Sequence, residues 1–462
     1  MASPQMALAT RFDIAVIGAG VVGCAIARRF ALSGAHVVVI EKAADILDGA
    51  SKGNSAILHT GFDAPPGSLE HECIQAGYAE YMAIHERLGL PLIRSGALVI
   101  AWSEEEEANL PELMERAREN GVDEIEYLDR NSLRAAEPML GEGARAGFRV
   151  PHEYLIDPWS APFAYLLQAL ENGAELLRGA EVTAARYDGD WWLETNRGTV
   201  RAGLVVNAAG NHGDLVDEIL LGKRDFGIRP RKGQFVVYDK PAAALASHIL
   251  LPVPTPTTKG IVVCRTAFGN LLVGPTAEDQ EDRTRAELVP ETLATLIARG
   301  EQILPALKDH EVSAIYAGLR PATEFKDYCI KAHEEKSCIT VGGIRSTGLS
   351  AALGIAQHVE KLAALSWTPP ADPVWPRVSN ISEFFPRDWQ SAGHGGIVCH
   401  CELVTRREIR AALDGPLPAR SFAGLKRRTR ATMGRCQGFY CMAEMSELTD
   451  GKLDKPLAER LK

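Results

Sequence analysis

No uninterrupted apolar run in the 462 residues approaches the roughly 20 that a membrane-spanning helix needs, so an integral membrane protein is not expected. Positive charge is in short supply as well. Against 60 Asp and Glu stand 50 Lys and Arg, and the net charge of −10 argues against general nucleic-acid binding. The first eleven residues, MASPQMALATR, lack a basic start followed by an apolar core. They read as a disordered lead-in and not as a secretory signal. The nine cysteines are an odd number, five scattered before residue 340 and four bunched near the end. Without a secretory signal that pattern favours a reducing cytoplasm over a disulfide framework. Cys24, Cys73, Cys264, Cys329 and Cys338 read as buried thiols. What is present, 46% hydrophobic and 24% charged residues over a length that suits two or three domains, belongs to an ordinary globular protein.

The most organised stretch is Phe12 to Lys42. Ile14 to Ile17 is apolar on both faces, as a buried parallel strand is. Gly18-x-Gly20-x-x-Gly23 follows at once. Gly18 permits a tight turn, Gly20 admits a pyrophosphate to the backbone, and Gly23 lets the next helix lie close on the strand. That helix carries Val21, Val22, Ala25, Ile26, Phe30 and Leu32, with Gly34 placed to end it. A second apolar strand, Val37 to Ile40, delivers Glu41 and Lys42. A carboxylate there accepts both ribose hydroxyls of an adenosine and repels a 2′-phosphate. The frame of strand, helix, strand and acidic end predicts a dinucleotide, its diphosphate on unpaired amides at a helix N-terminus. FAD and NAD remain open on this stretch alone.

Ser51 to Gly61, with Asn54, Ser55 and His59, mixes small and amide-bearing residues and suits a loop along a cofactor. Ser95 to Trp102 reads as a strand, the following charged stretch as a helix with a solvated acidic run, and Asp129 to Glu137 as a second short helix. In VPHEYLIDPWSAPFA, Tyr154 and Asp157 are ligand candidates, though helix capping is the plainer role for Asp157, before a helix over Tyr165 to Glu171. Glu175 to Asn207 repeats a strand signal several times and predicts a small antiparallel layer feeding a buried strand. Cys338 to Val359 reads as a strand, a glycine turn and a helix, and Trp367 to Gly396, rich in Pro, Trp and Ser, as a linker.

The Gly18 turn, Glu41 and SKGNSAILHTGFDAPPGSLE together resemble the FAD-dependent oxidoreductases of the D-amino-acid-oxidase type. Within them the loop is similar to the branch holding glycerol-3-phosphate dehydrogenases and oxidases and the L-2-hydroxyglutarate dehydrogenases. The resemblance implies FAD, and it implies that His59 lies beside the flavin as the base. It implies cofactor contacts at Val182, whose backbone meets adenine, at the turn Ala208-Ala209-Gly210, at Gly318, and at Arg345, Ser346, Thr347, Gly348 and Leu349, whose amides face the flavin. It also implies that Arg320, in AGLRPAT, grips the anionic end of the substrate, helped by Lys259. Arg presents a planar fork to carboxylate or phosphate, and Lys a compact charge.

The fold expected is α/β with an α+β substrate domain: a discontinuous Rossmann-like FAD-binding domain (12–90, 148–222 and 335–366) and an antiparallel-sheet substrate domain (91–147 and 223–334). A linker (367–395), a small helical domain (396–446) and a tail (447–462) follow.

Cys399-x-Cys401 and Cys436-x4-Cys441, 34 residues apart, form a four-thiolate set. Such pairs suit a tetrahedral metal or an iron–sulfur cluster. Two helices are expected between them, and Lys426, Arg427, Arg428, Arg430 and Arg435 either oppose the cluster's negative charge or form a solvated basic face. The segment resembles the [2Fe–2S] domain related to bacterioferritin-associated ferredoxin, with CxxxxC where that domain often has CxxC. Structural zinc is the alternative. The expected activity is a dehydrogenase oxidising a small anionic alcohol, with one-electron exit through the cluster to a quinone or redox protein that the sequence leaves unidentified. Three substrate classes stay open at this point: polyol phosphates, 2-hydroxyacids such as L-2-hydroxyglutarate, and amines or amino acids. The location expected is cytoplasmic, with peripheral membrane contact and partner subunits left open.

Overall fold

The computed structural model describes residues 11–254 and 260–457. Strand β1 (Arg11–Ile17), helix α1 (Val21–Leu32) and strand β2 (Val37–Glu41) stand where the hydrophobic pattern places them. The helix ends at Ser33, and Gly34 follows with φ +95°, beyond the reach of a residue with a Cβ at little cost. β1 runs parallel to β2 and to Gly198–Asn207 at the centre of an eight-stranded sheet. Parallel central strands need cover on both faces, and α1 supplies one face by packing between Ser160–Glu171 and Gly348–Ala363. The antiparallel strands Val182–Asp188 and Asp190–Thr195 form one edge, as expected.

Cys338–Gly342 joins this sheet beside Val205–Asn207, so the flavin-type unit is closed by a distant segment. Its boundary differs from the sequence reading. Cys329–His333 pairs with Cys338–Gly342 in this sheet, whereas the sequence reading assigned it to the other unit. A short polar strand carries no mark of which sheet it will join.

The second sheet has nine strands and is antiparallel, with one parallel pair between Ala97–Ala101 and Ile249–Pro252. Its two faces are covered by separate apolar clusters, one under Glu104–Glu119 and one under Pro290–Ile303. The acidic start of Glu104–Glu119 is solvated, and its charges favour a helix N-terminus. The helix predicted over Tyr165–Glu171 begins earlier, at Ser160, and takes in Pro162. A proline is tolerated there because first-turn amides have no intrahelical acceptor. Asp157 is a cap: its carboxylate accepts the N–H groups of Trp159 and Ser160 at 2.9 and 3.1 Å. Tyr154 bonds His152 at 2.9 Å.

The segment read as a linker is a packed strap. Val378 N–H donates to Leu88 O, Gln168 donates to Val374 O, and Ile381 is buried in the core of the second sheet. The C-terminal unit holds three helices, Arg406–Asp414, Phe422–Thr429 and Met442–Leu448, around a small apolar core. Among the described residues no helix is long and apolar enough to cross a membrane.

Candidate active site

A cavity of about 980 Å³ runs from the glycine turn after β1 to the second sheet. Gly18 has φ +106°, and a Cβ on Gly23 would stand 1.9 Å from Gly18 O, so the turn admits no larger residue at that point. Gly20, Val21 and Val22 line the cavity, while Gly23 faces the strand and does not. The amides predicted to be unpaired are partly engaged within the chain. Val21 N–H donates to Ser51 Oγ at 2.9 Å, and Ala19 N–H to Glu41 Oε2 at 2.8 Å. Glu41 Oε1 also accepts from Ala43 N–H at 2.8 Å. Burial raises the Glu41 pKa against these two N–H groups, which pull it down. Each Glu41 oxygen keeps a second lone pair for a ribose hydroxyl. Lys42 lies 3.1 Å from His212, also on the cavity wall.

Asn54 and Ser55 line the middle of the cavity. Here the loop passes Val312–Arg320 so closely that a Cβ on Gly53 would meet Gly318 Cα at 2.9 Å. Gly318 is thus required by the approach of two backbones, and Gly53 by the same contact, which the sequence alone did not reveal. Val182, Ala208, Ala209 and Gly210 close the end beside Glu41. Arg345, Ser346, Gly348 and Leu349 close the opposite wall. The side chain of Thr347 departs from the expectation. It is buried, bonding Glu70 at 2.6 Å and Tyr328 at 2.7 Å, and does not line the cavity.

His59 lines the same cavity. Its N–H donates to Ser350 Oγ at 2.9 Å, and its ring Nδ1 lies 2.8 Å from Glu153 Oε2. Glu153 is fully buried and was missed by sequence reasoning; its one signal is a carboxylate before the apolar strand Tyr154–Ile156. Arg320 ends its strand opposite Arg231 in register, lies over Gly233, and donates to Thr276 O at 3.1 Å. Burial, with Arg231 and Arg345 nearby, lowers its pKa to about 10, which leaves it charged at neutral pH. Arg231 is itself paired with Asp279 at 2.8 Å. Lys259 lies outside the described residues.

None of the nine cysteines is in a disulfide. The Cys401 and Cys436 thiols are hydrogen-bond neighbours, as are Cys399 and Cys441. Backbone amides of Tyr440, Gly438 and Phe439 turn toward Cys436 and hold its pKa below the usual thiol value. Burial raises that of Cys441 to about 12. Gly434 makes the room, since a Cβ there would stand 2.4 Å from Cys401 Cβ. Among the described residues no three His, Cys, Asp or Glu converge where they could hold one metal ion. Two adjacent thiol pairs with amides aimed at sulfur fit a two-iron cluster, which spreads four thiolates over two metals, better than a single zinc.

Three members of the basic run, Arg427, Arg428 and Arg430, are turned away from solvent, while Arg435 is exposed. Arg428 grips buried Asp45 at 2.8 Å, Arg427 donates to Ile46 O, Arg430 bonds Glu402 at 2.9 Å, and Arg435 pairs with Asp239. The contacts to Asp45, Ile46 and Asp239 lock the C-terminal unit onto the loop after β2 and onto the second sheet, while Arg430–Glu402 braces the unit internally.

The family described as FAD dependent oxidoreductase matches residues 13–362, and the BFD-like [2Fe-2S] binding domain matches 397–450. The chain is 32% identical over 460 residues to glycerol 3-phosphate dehydrogenase of Caloramator mitchellensis, covering 97% of this chain and 96% of that protein. It is 28% identical to glycerol 3-phosphate oxidase of Mycoplasma pneumoniae, over 79% of this chain and 97% of that one. The solved structure of dithionite-reduced L-alpha-glycerophosphate oxidase from Mycoplasma pneumoniae with FAD bound superposes with a TM-score of 0.74 at 27% identity, over 79% of this chain and 98% of that chain.

Proposed function

Because this chain belongs to the FAD-dependent oxidoreductases, we propose that it is a dehydrogenase of glycerol 3-phosphate or a closely related polyol phosphate. The observation that carries the reading is that His59 and Arg320 line one cavity with the nucleotide turn. Similarity to the Caloramator dehydrogenase supports it, because that match extends over nearly the whole of both chains. The Mycoplasma oxidase is matched over almost its full length yet leaves about a fifth of this chain uncovered.

Arg320 is half-buried and charged, and it offers a planar fork to the phosphate. Arg231 and Arg345 add to the positive field at that end, which suits a dianion. Glu41 and the turn at Gly18–Val22 would hold the adenosine side of FAD, and the four C-terminal cysteines the cluster. When bound, FAD supplies the acceptor for hydride from the alcohol carbon, and the cluster a one-electron outlet. His59 takes the hydroxyl proton as that carbon is oxidised. The cavity walls hold the alcohol against His59 while Arg320 fixes its far end, so that orientation is settled before the bond breaks. A one-electron outlet is superfluous in an enzyme that hands both electrons to oxygen, which favours dehydrogenase over oxidase.

A 2-hydroxyacid is the second reading, since the chain is 25% identical to L-2-hydroxyglutarate dehydrogenase of Indibacter alkaliphilus over 58% of its length. Arg320 would serve a carboxylate equally well. Anaerobic mixing of holoprotein with glycerol 3-phosphate, L-2-hydroxyglutarate and amino acids separates the readings. Flavin bleaching is expected fastest with the phosphate. Faster bleaching by either of the others overturns the substrate, and peroxide formed in air as fast as substrate is oxidised overturns the dehydrogenase.

A further inference from the structure

We propose that Glu153 is the positioning carboxylate that makes His59 a competent base, an inference that rests on the role given to His59 above. Glu153 is fully buried at the start of Tyr154–Ile156, the strand that pairs with Ile57–Leu58 just ahead of His59. Its two oxygens do different work. Oε1 accepts both the N–H and the hydroxyl of Thr60, at 2.6 and 2.7 Å. Oε2 is left to the imidazole, 2.8 Å from Nδ1. With Ser350 holding the His59 N–H, the ring is fixed through its own backbone, the next residue and its Nδ1 atom.

Two chemical consequences follow. An ionised carboxylate accepts and cannot donate, so Nδ1 carries the proton and Nε2 carries the lone pair. The negative charge also stabilises the imidazolium that forms when His59 takes the substrate proton, which makes it a stronger base. Thr60 alone would not require this arrangement, because a neutral amide oxygen would hold it as well. The isosteric change Glu153→Gln therefore separates the two roles. Gln keeps an oxygen for Thr60 but turns an NH₂ group toward Nδ1, favouring the opposite tautomer and removing the charge.

The experiment is anaerobic stopped-flow flavin reduction by glycerol 3-phosphate across pH, with wild type, E153Q, H59A and the double variant. FAD content is measured alongside. E153Q is expected to retain FAD and to reduce it about 10²-fold more slowly, within the range for a displaced base. Its acid limb is expected to move to lower pH, because the imidazolium has lost its counter-charge. Tyr78 and Arg94 face this site from the Glu153 side, Tyr154 adjoins it, and Asp63 and Glu70 share the cavity wall with His59. All are common to the proteins compared, so a difference between profiles reports position 153. The double variant is expected to be no slower than H59A.

E153Q reducing flavin at the wild-type rate with an unshifted acid limb overturns the proposal, even where H59A is slow. Wild-type reduction by H59A overturns instead the role of His59. Should E153Q lose FAD or fail to fold, Glu153→Asp keeps the charge but draws it back from Nδ1. Slowed reduction with FAD retained supports the proposal, and an unchanged rate overturns it.

Discussion

The flavin-type cavity draws its walls from positions as distant as Gly18 and Leu349, whereas the four candidate cluster ligands lie between Cys399 and Cys441. The first is framed by parallel strands, close-packed helices and two backbone approaches that admit only glycine, between two large cores. The second has a small apolar core of its own and leans on the rest of the molecule through the buried ion pair of Arg428 with Asp45. Units of that size commonly need a metal or a partner to stay folded. The contrast teaches that one site is assembled from segments distant in the chain and the other from a single short stretch.

Several changes would break or sharpen this comparison. The largest effect is expected from Gly23→Ala, whose Cβ would collide with Gly18 O, a backbone atom with no room to yield. Purified protein should lack flavin absorbance while the cysteine unit keeps its iron, and full flavin content would show that the turn yields to a methyl group. Next is Cys436→Ser. The electron paramagnetic resonance signal of the reduced cluster should vanish and the C-terminal unit become protease-sensitive, while anaerobic bleaching by substrate proceeds unchanged. Loss of flavin in that variant would mean that the two units do not form separately.

Asp45→Ala is expected to be intermediate. It leaves Arg428 and Arg178 without their buried counter-charge, a loss of about 3–5 kcal/mol readable as a lower unfolding midpoint of the C-terminal unit. The same contact carries a pH dependence. Burial pushes the Asp45 carboxyl up, but the Arg428 charge and the N–H groups of Arg420 and Ile46 outweigh it and hold the pKa below the usual carboxylate value. A depressed carboxyl stabilises docking above the unfolded value and loses that contribution as pH falls through the folded one. Release of the unit from the flavin core is therefore expected only in acid, once pH falls below the ordinary carboxylate range, and release at neutral pH would remove Asp45 from the latch. Arg320→Lys should have the smallest effect. Losing the bidentate fork is expected to weaken substrate binding about tenfold, seen in the concentration dependence of flavin reduction, with little change in the limiting rate.

Spacing and periodicity made the nucleotide turn, β1, α1, β2 and the four cysteines legible, because each is a local pattern whose chemistry is confined to a few dozen residues. Reading failed where a side chain had two possible neighbours. Arg427 and Arg428 look like a solvated face until Asp45 and Asp48, hundreds of residues earlier, are brought against them. Thr347 sits in a row of cavity residues yet turns inward to Glu70 and Tyr328. Trp367 to Gly396 has the composition of a linker, but it is held by backbone bonds to segments it does not resemble.

By itself, then, the sequence determined a dinucleotide turn and a four-thiolate set, since glycine, acid and cysteine at those spacings limit the chemistry before folding. FAD, the two-iron cluster and His59 as candidate base came with the family resemblance. Only the tertiary structure decided that Glu153 stands behind His59 and that the basic helix is an interdomain clasp. A charge acquires its partner when distant segments meet, and no local spacing records that meeting.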